Sequence, residues 1–402
     1  MKTGLHTGLL TRVIAAIILG IGAAFIFPEW LSRIFATFGA VFSSFLGFVI
    51  PLLIVGFVAP AIADIGKKAG MILVWTVAVA YAMTFGSGLL AYFTSSSIFP
   101  SLIETGSYTT ALSADAAGPA PYFSIEIEPI MTVMASLVLA FVLGFACAMA
   151  PDRTATLKKV LVDFRSVIQM LITGVVIPLL PVYIFNIFLN MTAAGAVGAI
   201  LMTFIKIIAI IFALHIGLLV LQYLIAALFS GYNPFKSLRT MLPAYATALG
   251  TQSSAATIPV TLEQTMKMGV SKDVAGFVIP LCATIHMSGS TLKIVSCALA
   301  LMIVKGIPYD IGMFSAFIAL LGITIVAAPG VPGGAIMASL GLLSSILGFS
   351  DADNAMMIAL YIAMDSFGTA CNITGDGAIA QIIDRICRRS RAVTSVEGAT
   401  QA

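Results

Sequence analysis

Asp365-Ser-Phe-Gly-Thr-Ala-Cys-Asn-Ile-Thr-Gly-Asp376 puts two carboxylates and an amide inside the last long hydrophobic stretch of the chain. At about 100° of rotation per helical residue, Asp365, Thr369, Asn372 and Asp376 fall at i, i+4, i+7 and i+11 and share one face. A carboxylate at bilayer depth is costly and normally faces a bundle interior or a polar cavity. The stretch therefore reads as the polar floor of a transport site within a membrane-spanning bundle.

Outward from it, the windows Ile34–Ala63, Gly70–Ile103, Ser166–Ile205, Ile207–Phe235 and Ile311–Ser350 contain no Asp, Glu, Lys or Arg. Each meets or exceeds the roughly 20 residues that a helix needs to cross the hydrocarbon. With 60% hydrophobic and 9% charged residues and a mean hydropathy of +1.10, a soluble globular domain is excluded. The net charge of +3 does not point to nucleic acid, because the basic residues sit in short loops between apolar runs. The first apolar run follows a weakly basic start, Met1–Arg12, and lacks a clear small-residue cleavage site, so it is expected as a retained span. Cys147, Cys282, Cys297, Cys371 and Cys387 form no CxxC pair and read as small buried side chains. No HExxH pair, nucleophile motif, metal-ligand cluster or Walker motif is present, which argues against an enzyme, a cofactor and direct ATP drive.

The coarse spans are 9–29, 34–63, 69–95, 128–150, 160–189, 195–230, 272–304 and 354–386. With a cytoplasmic N-terminus, sixteen of the twenty Lys and Arg residues fall on the inside, including Lys67, Lys68, Arg153, Lys158, Lys159, Arg385 and Arg388. The loop 96–127 has only acidic residues among its charges and faces outside. That agreement requires the stretches 234–268 and 309–349 each to enter and leave on one side. The second carries Pro329-Gly-Val-Pro-Gly-Gly334 at its middle, which cannot continue a helix, and the first carries Gly250-Thr-Gln-Ser-Ser-Ala-Ala-Thr257. Irregular backbone at membrane depth is tolerated only where protein buries it or a cavity meets it. Each hairpin precedes a polar-interrupted span: Ile285-His-Met-Ser-Gly-Ser290 in one case, the opening stretch in the other. The pattern predicts an all-α integral membrane protein of eight transmembrane helices plus two re-entrant hairpins arranged as inverted repeats.

At these blocks the chain resembles the glutamate transporter homologues, the dicarboxylate/amino acid:cation symporter family. Gln252-Ser-Ser-Ala-Ala-Thr-Ile-Pro-Val-Thr261 is similar to the serine-rich first hairpin, and Pro280-Leu-Cys-Ala-Thr-Ile-His-Met-Ser-Gly-Ser290 to the Asn-Met-Asp-Gly-Thr span. Gly330-Val-Pro-Gly-Gly334 is similar to the second hairpin tip, and Asp365 to Asp376 to the final helix. The resemblance covers nearly the whole chain and implies a homotrimer with an elevator fold. It implies scaffold at 1–68 and 128–190, a transport domain at 69–95 and 191–390, an extracellular loop at 96–127 and a cytoplasmic tail at 391–402. Asp365 would hold a substrate ammonium, Asn372 would lie near its carboxylate, and Thr369 and Ser290 would line the pocket. Ser254 would offer its backbone N–H, while Val331 and Gly334 would lie in the outer gate. Thr284, His286, Met287, Asn372 and Asp376 occupy cation-coupling positions, with a possible sodium ion at Asn372 and Asp376.

Two departures shape the functional expectation. Members that bind acidic substrates carry an Arg three residues after the substrate Asp; here that residue is Gly368, and a related hairpin Arg is Gln252. Without a guanidinium, a second substrate carboxylate would be desolvated with no bidentate partner, which favours a neutral amino acid. At the cation sites, His286 and Ser288 replace Asn and Asp, and the third-span partners align with Trp75, Ala78 and Val79. A hard cation needs several oxygens, so that site is expected to be lost. Lys293 lies two turns beyond His286, and Lys293 or protonated His286 is expected to neutralise Asp376, making transport sodium-independent or proton-linked. The alternatives are a sodium-coupled acidic amino acid or dicarboxylate symporter that uses Lys293 as its cation, and a channel or exchanger. His215 reads as structural, Lys206 has no assigned role, and Tyr361 and Phe367 read as packing.

Overall fold

A computed structural model describes residues 9–64, 71–103, 119–195, 197–326 and 333–400. Among these residues the regular structure is helical: α1 Leu9–Ala24, α2 Glu29–Asp64, α3 Met71–Leu102, α4 Val133–Met149, α5 Ala155–Leu171 and α6 Ile177–Ala193. There follow α7 Val197–Ser230, α8 Pro234–Thr251, α9 Ser254–Lys267, α10 Lys272–Ile285, α11 Ser288–Lys305 and α12 Ile311–Val326. The last three are α13 Gly334–Leu347, α14 Asp351–Ala363 and α15 Asp365–Thr400.

Five of the described helical segments are long and apolar enough to cross a membrane: Glu29–Ala63, Met71–Leu102, Ala155–Ala193, Leu201–Ser230 and Lys272–Lys305. Taking α14 and α15 as one broken span gives a sixth. The helices α1 and α4, with 16 and 17 residues, are apolar but shorter. The span expected at 354–386 is not one helix, because Met364 leaves helical geometry (φ −114°, ψ 11°) and α15 begins afresh at Asp365. A π-helical turn, Ile172–Val176, joins α5 to α6. Pro178 and Pro181 follow it, and a proline ring cannot sit against the carbonyl four residues back without the ladder shifting.

The chain divides into two compact units. One gathers Met1–Gly66, Tyr92–Ile210 and Ile294–Met364. Within it α2 packs along α4, α1 along α6, and α12 along α13. Gly144 permits the first of these approaches: a Cβ there would lie 2.6 Å from Ile62 Cβ and 3.0 Å from the Ala59 carbonyl. Small residues of this kind let helix backbones come close where lipid supplies no hydrophobic drive. Lys305 donates to both Asp353 carboxylate oxygens at 2.7 Å, and Asp353 completes a capping box with Ser350 at the start of α14. Lys206 donates to the Leu102 carbonyl at the end of α3, which gives that residue a helix-capping contact.

The other unit gathers Lys67–Ala91, Ile211–Lys293 and Asp365–Ala402, and it holds the polar residues singled out above. Here α8 and α9 form the first hairpin. Asn233 caps α8 through Lys236 N–H, with Pro234 at the first helical position where no N–H is needed. The turn is tighter than the Gly250–Thr257 segment read from sequence. Only Gln252 and Ser253 leave the helices, Gln252 in the left-handed region (φ 53°) and Ser253 as N-cap of α9. Both arms and α10 pack on α15, burying Met241, Ala244, Ala248, Ile373 and Ala378 around Tyr223. The second hairpin tip, with Val331, lies outside the described residues. Its flanking arms are α12 and α13.

Candidate substrate and coupling site

The site is built on the interruption between α10 and α11. His286 ends α10 in an extended conformation (φ −97°, ψ 107°), and α11 restarts at Ser288. A break at this depth frees backbone groups that lipid cannot satisfy. His286 N–H still reaches the Cys282 carbonyl at 2.9 Å. Met287 N–H donates to Thr84 Oγ1 at 3.3 Å, and Ser87 Oγ lies 2.8 Å from the Ser288 carbonyl as donor. Asn372 Oδ1 accepts from the N–H groups of Gly289 (2.8 Å) and Ser290 (3.3 Å). Asn372 therefore caps α11 from a different helix, filling the role a serine or aspartate plays at an ordinary N-terminus. Its Nδ2 donates to Ser290 Oγ at 3.1 Å. On α7, His215 Nε2 donates to the Gly289 carbonyl at 3.0 Å, so this histidine also tends the break.

Close approach of α15 to the break depends on glycine. A Cβ on Gly289 would lie 2.6 Å from Cys371 Cβ and 2.8 Å from the Gly368 carbonyl. One on Gly375 would lie 2.6 Å from both His286 Cε1 and Gln222 Oε1. With those side chains absent, α15 brings its polar face directly onto His286 and Lys293.

Two buried contacts to carboxylates result. His286 Nδ1 lies 2.8 Å from Asp376 Oδ1 and 3.2 Å from the Asn372 carbonyl. Both partners accept, so Nδ1 carries the proton. On the far side of the ring, Gln222 Nε2 lies 3.4 Å from His286 Nε2 and donates to Ser288 Oγ at 2.9 Å. Lys293 Nζ lies 3.3 Å from Asp365 Oδ1. Lys293, His286 and Asp376 are at most 1% exposed, and Asp365 is 7% exposed. Asp365 is also the first residue of α15, where the positive end of the helix dipole favours a carboxylate. Of the two basic groups expected near Asp376, His286 is the one that meets it, whereas Lys293 meets Asp365.

The arrangement can do two kinds of chemistry. Asp365 pairs with an ammonium, and Asp376 accepts a hydrogen bond from an imidazole. Among the described residues, no group of three or more His, Cys, Asp or Glu side chains could hold a metal ion.

The sequence matches the Sodium:dicarboxylate symporter family over residues 9–386. The chain belongs to this family. Among curated relatives, the serine/threonine transporter SstT of Acinetobacter baumannii (strain ATCC 17978) is 28% identical over 396 residues. That alignment covers 94% of this chain and 96% of the relative. The serine/threonine transporter SstT of Streptococcus thermophilus (strain CNRZ 1066) is 28% identical over 401 residues, with the same coverage of each chain. Sodium:dicarboxylate symporter membership makes this a membrane transporter rather than an enzyme.

In this member of the family, the remaining candidate residues are distributed as follows. Asp365, Gly368, Thr369, Asn372 and Asp376 share α15 and are buried, with Ser290 buried against Asn372. Met287 is half-buried at the break, and Thr284 is exposed on α10. Ser254 is half-buried at the first position of α9. Gly334 starts α13 in the other unit, where it is buried. Third-span residues other than Trp75, Ala78 and Val79 bond to the break. The α3 side chains on the break are Thr84 and Ser87, while Trp75 and Ala78 are exposed and Val79 packs in apolar surroundings. The hydroxyls of Thr84 and Ser87 are thus spent on the backbone of Met287 and Ser288. Gln222 was missed as well. A single glutamine in an apolar span offers no periodic signal, and only its burial beside His286 reveals it.

Proposed function

We propose that this chain is a secondary active transporter that carries a neutral amino acid across the cytoplasmic membrane. Position 368 carries the reading. Gly368 presents no cation, and the space beside it is taken by Lys293, whose Nζ would lie 2.9 Å from a Cβ built there. That ammonium pairs with Asp365, so the pair is neutral overall and suits a zwitterion without net charge. An acidic substrate would bring a further buried charge with no bidentate partner. The relatives named as serine/threonine transporters support the same substrate class.

In this reading Asp365 takes the substrate ammonium and Asn372, Thr369 and Ser290 flank its carboxylate. Ser254 belongs to the first hairpin and would offer its backbone N–H, and the family resemblance gives Val331 and Gly334 a gating role. The family name carries sodium, and the coupling is proposed to be weaker than that name implies. His286 supplies a proton donor to Asp376 where an oxygen ligand would be needed, and Ser288 supplies no charge. Coupling would pass to a proton or to the internal cations His286 and Lys293, with residual sodium dependence near Thr284 and Met287. A homotrimer, an elevator movement of the transport domain against the scaffold, and cytoplasmic termini complete the proposal.

Uptake of labelled serine into proteoliposomes tests it. Excess serine, alanine and threonine should compete while aspartate should not. Replacing sodium by choline should leave substantial uptake. Competition by aspartate equal to that by serine would move the substrate class to acidic amino acids. A strict sodium requirement without response to a proton gradient would sink the coupling scheme.

A further inference from the structure

Lys293 is the most unusual group in the second unit. It is a lysine with 0% exposure, two turns into the apolar part of α11 from the break. An unpaired ammonium or carboxylate buried in an apolar bundle is strongly disfavoured. Its Nζ lies 3.3 Å from Asp365 Oδ1. The end of the lysine lies against residue 368, which has no side chain: a Cβ there would lie 2.9 Å from Nζ and 3.2 Å from Cε. The chain thus carries its own ammonium on the carboxylate that the functional reading gives to the substrate's ammonium.

From this geometry we infer that Lys293 is a tethered counter-ion that competes with the substrate for Asp365 and neutralises it in the unloaded step of the cycle. The inference rests on the amino-acid reading above and extends it. When the substrate ammonium arrives, it displaces Lys293 from Asp365, and the lysine is left to face the substrate carboxylate. When substrate leaves, Lys293 returns to Asp365. The site is neutral in both states, so neither step needs a cation from solution to accompany Asp365 across the membrane. Lys293 therefore matters more for net transport than for exchange. Exchange uses only the loaded site, whereas net uptake requires the unloaded site to return with its carboxylate neutralised.

The test compares the full-length protein with Lys293→Met, Lys293→Gln and Lys293→Arg in proteoliposomes, using serine as probe. Exchange is measured with serine inside, and net uptake with none inside. Wild type should perform both. Lys293→Met should lose net uptake by at least about tenfold and exchange by clearly less, because Asp365 still meets the substrate ammonium in the loaded site but is a buried carboxylate without that partner in the unloaded one. Lys293→Gln, which retains a hydrogen-bonding tip without charge, should do the same and guards against misfolding of the methionine variant. Lys293→Arg should keep both activities. A proportional fall in exchange and net uptake in the uncharged variants would make Lys293 a structural post and overturn the inference. So would unchanged net uptake. Absence of amino-acid exchange in the wild type would overturn the functional reading itself.

Discussion

Asn372 shows how much of this site rests on a single side chain. Its Oδ1 satisfies two N–H groups of α11, and its Nδ2 reaches Ser290 Oγ. Asn372→Ala should leave those buried donors without a partner and lower stability by about 1–3 kcal/mol. Asn372→Asp retains the acceptor and should lose less in the same thermal-unfolding measurement. Equal losses would mean that the capping bonds contribute little. The shared face of Asp365, Thr369, Asn372 and Asp376 was legible from spacing alone, because a helix imposes it. The partner of Lys293 was not. Sequence places Lys293 two turns from His286, and both could reach Asp376 in principle. How α11 and α15 are rotated and slid against one another decides that Lys293 meets Asp365, and that depends on close contact at Gly289 and Gly375.

At the level of elements, the first hairpin turns on two residues. Gln252 is the one non-glycine residue with positive φ among the described residues. A side chain in the left-handed region crowds its own carbonyl, so Gln252→Gly should raise stability by about 1 kcal/mol, read as an increase in the thermal midpoint. No gain would mean that the glutamine side chain makes compensating contacts. The existence of this hairpin and of the interruption in the following span was legible, because Gln252 and Ser253, and His286 and Ser288, are polar residues within apolar stretches. The exact exits were not, because helix ends are set by capping partners. Ser253 accepts from Ala256 N–H locally, but Met287 N–H depends on Thr84, some two hundred residues earlier in the chain. No local pattern could choose Thr84 and Ser87 over Trp75, Ala78 and Val79.

For the whole molecule, burial of the cysteines gives a direct check on the packing. Cys147, Cys282, Cys297 and Cys371 are buried, and Cys387 alone is partly exposed near the end of the described α15 side chains. A maleimide reagent should add once to the native protein and five times after denaturation, counted by intact mass. In sealed cells, a membrane-impermeant form applied outside should leave Cys387 unlabelled if the C-terminus is cytoplasmic. Several adducts on native protein would contradict the packing, and labelling from outside would contradict the orientation. The sequence by itself determined that this is a helical membrane protein with broken apolar segments and a carboxylate-bearing final helix. Those conclusions follow from hydrophobic length, the cost of charge in lipid and helical periodicity, all of which are local or additive along the chain. Only the tertiary structure decided that His286 serves Asp376, that Lys293 serves Asp365, and that Gln222, Thr84 and Ser87 join the break. Those pairings depend on rotation and sliding between helices, which are fixed by where glycine permits two backbones to approach.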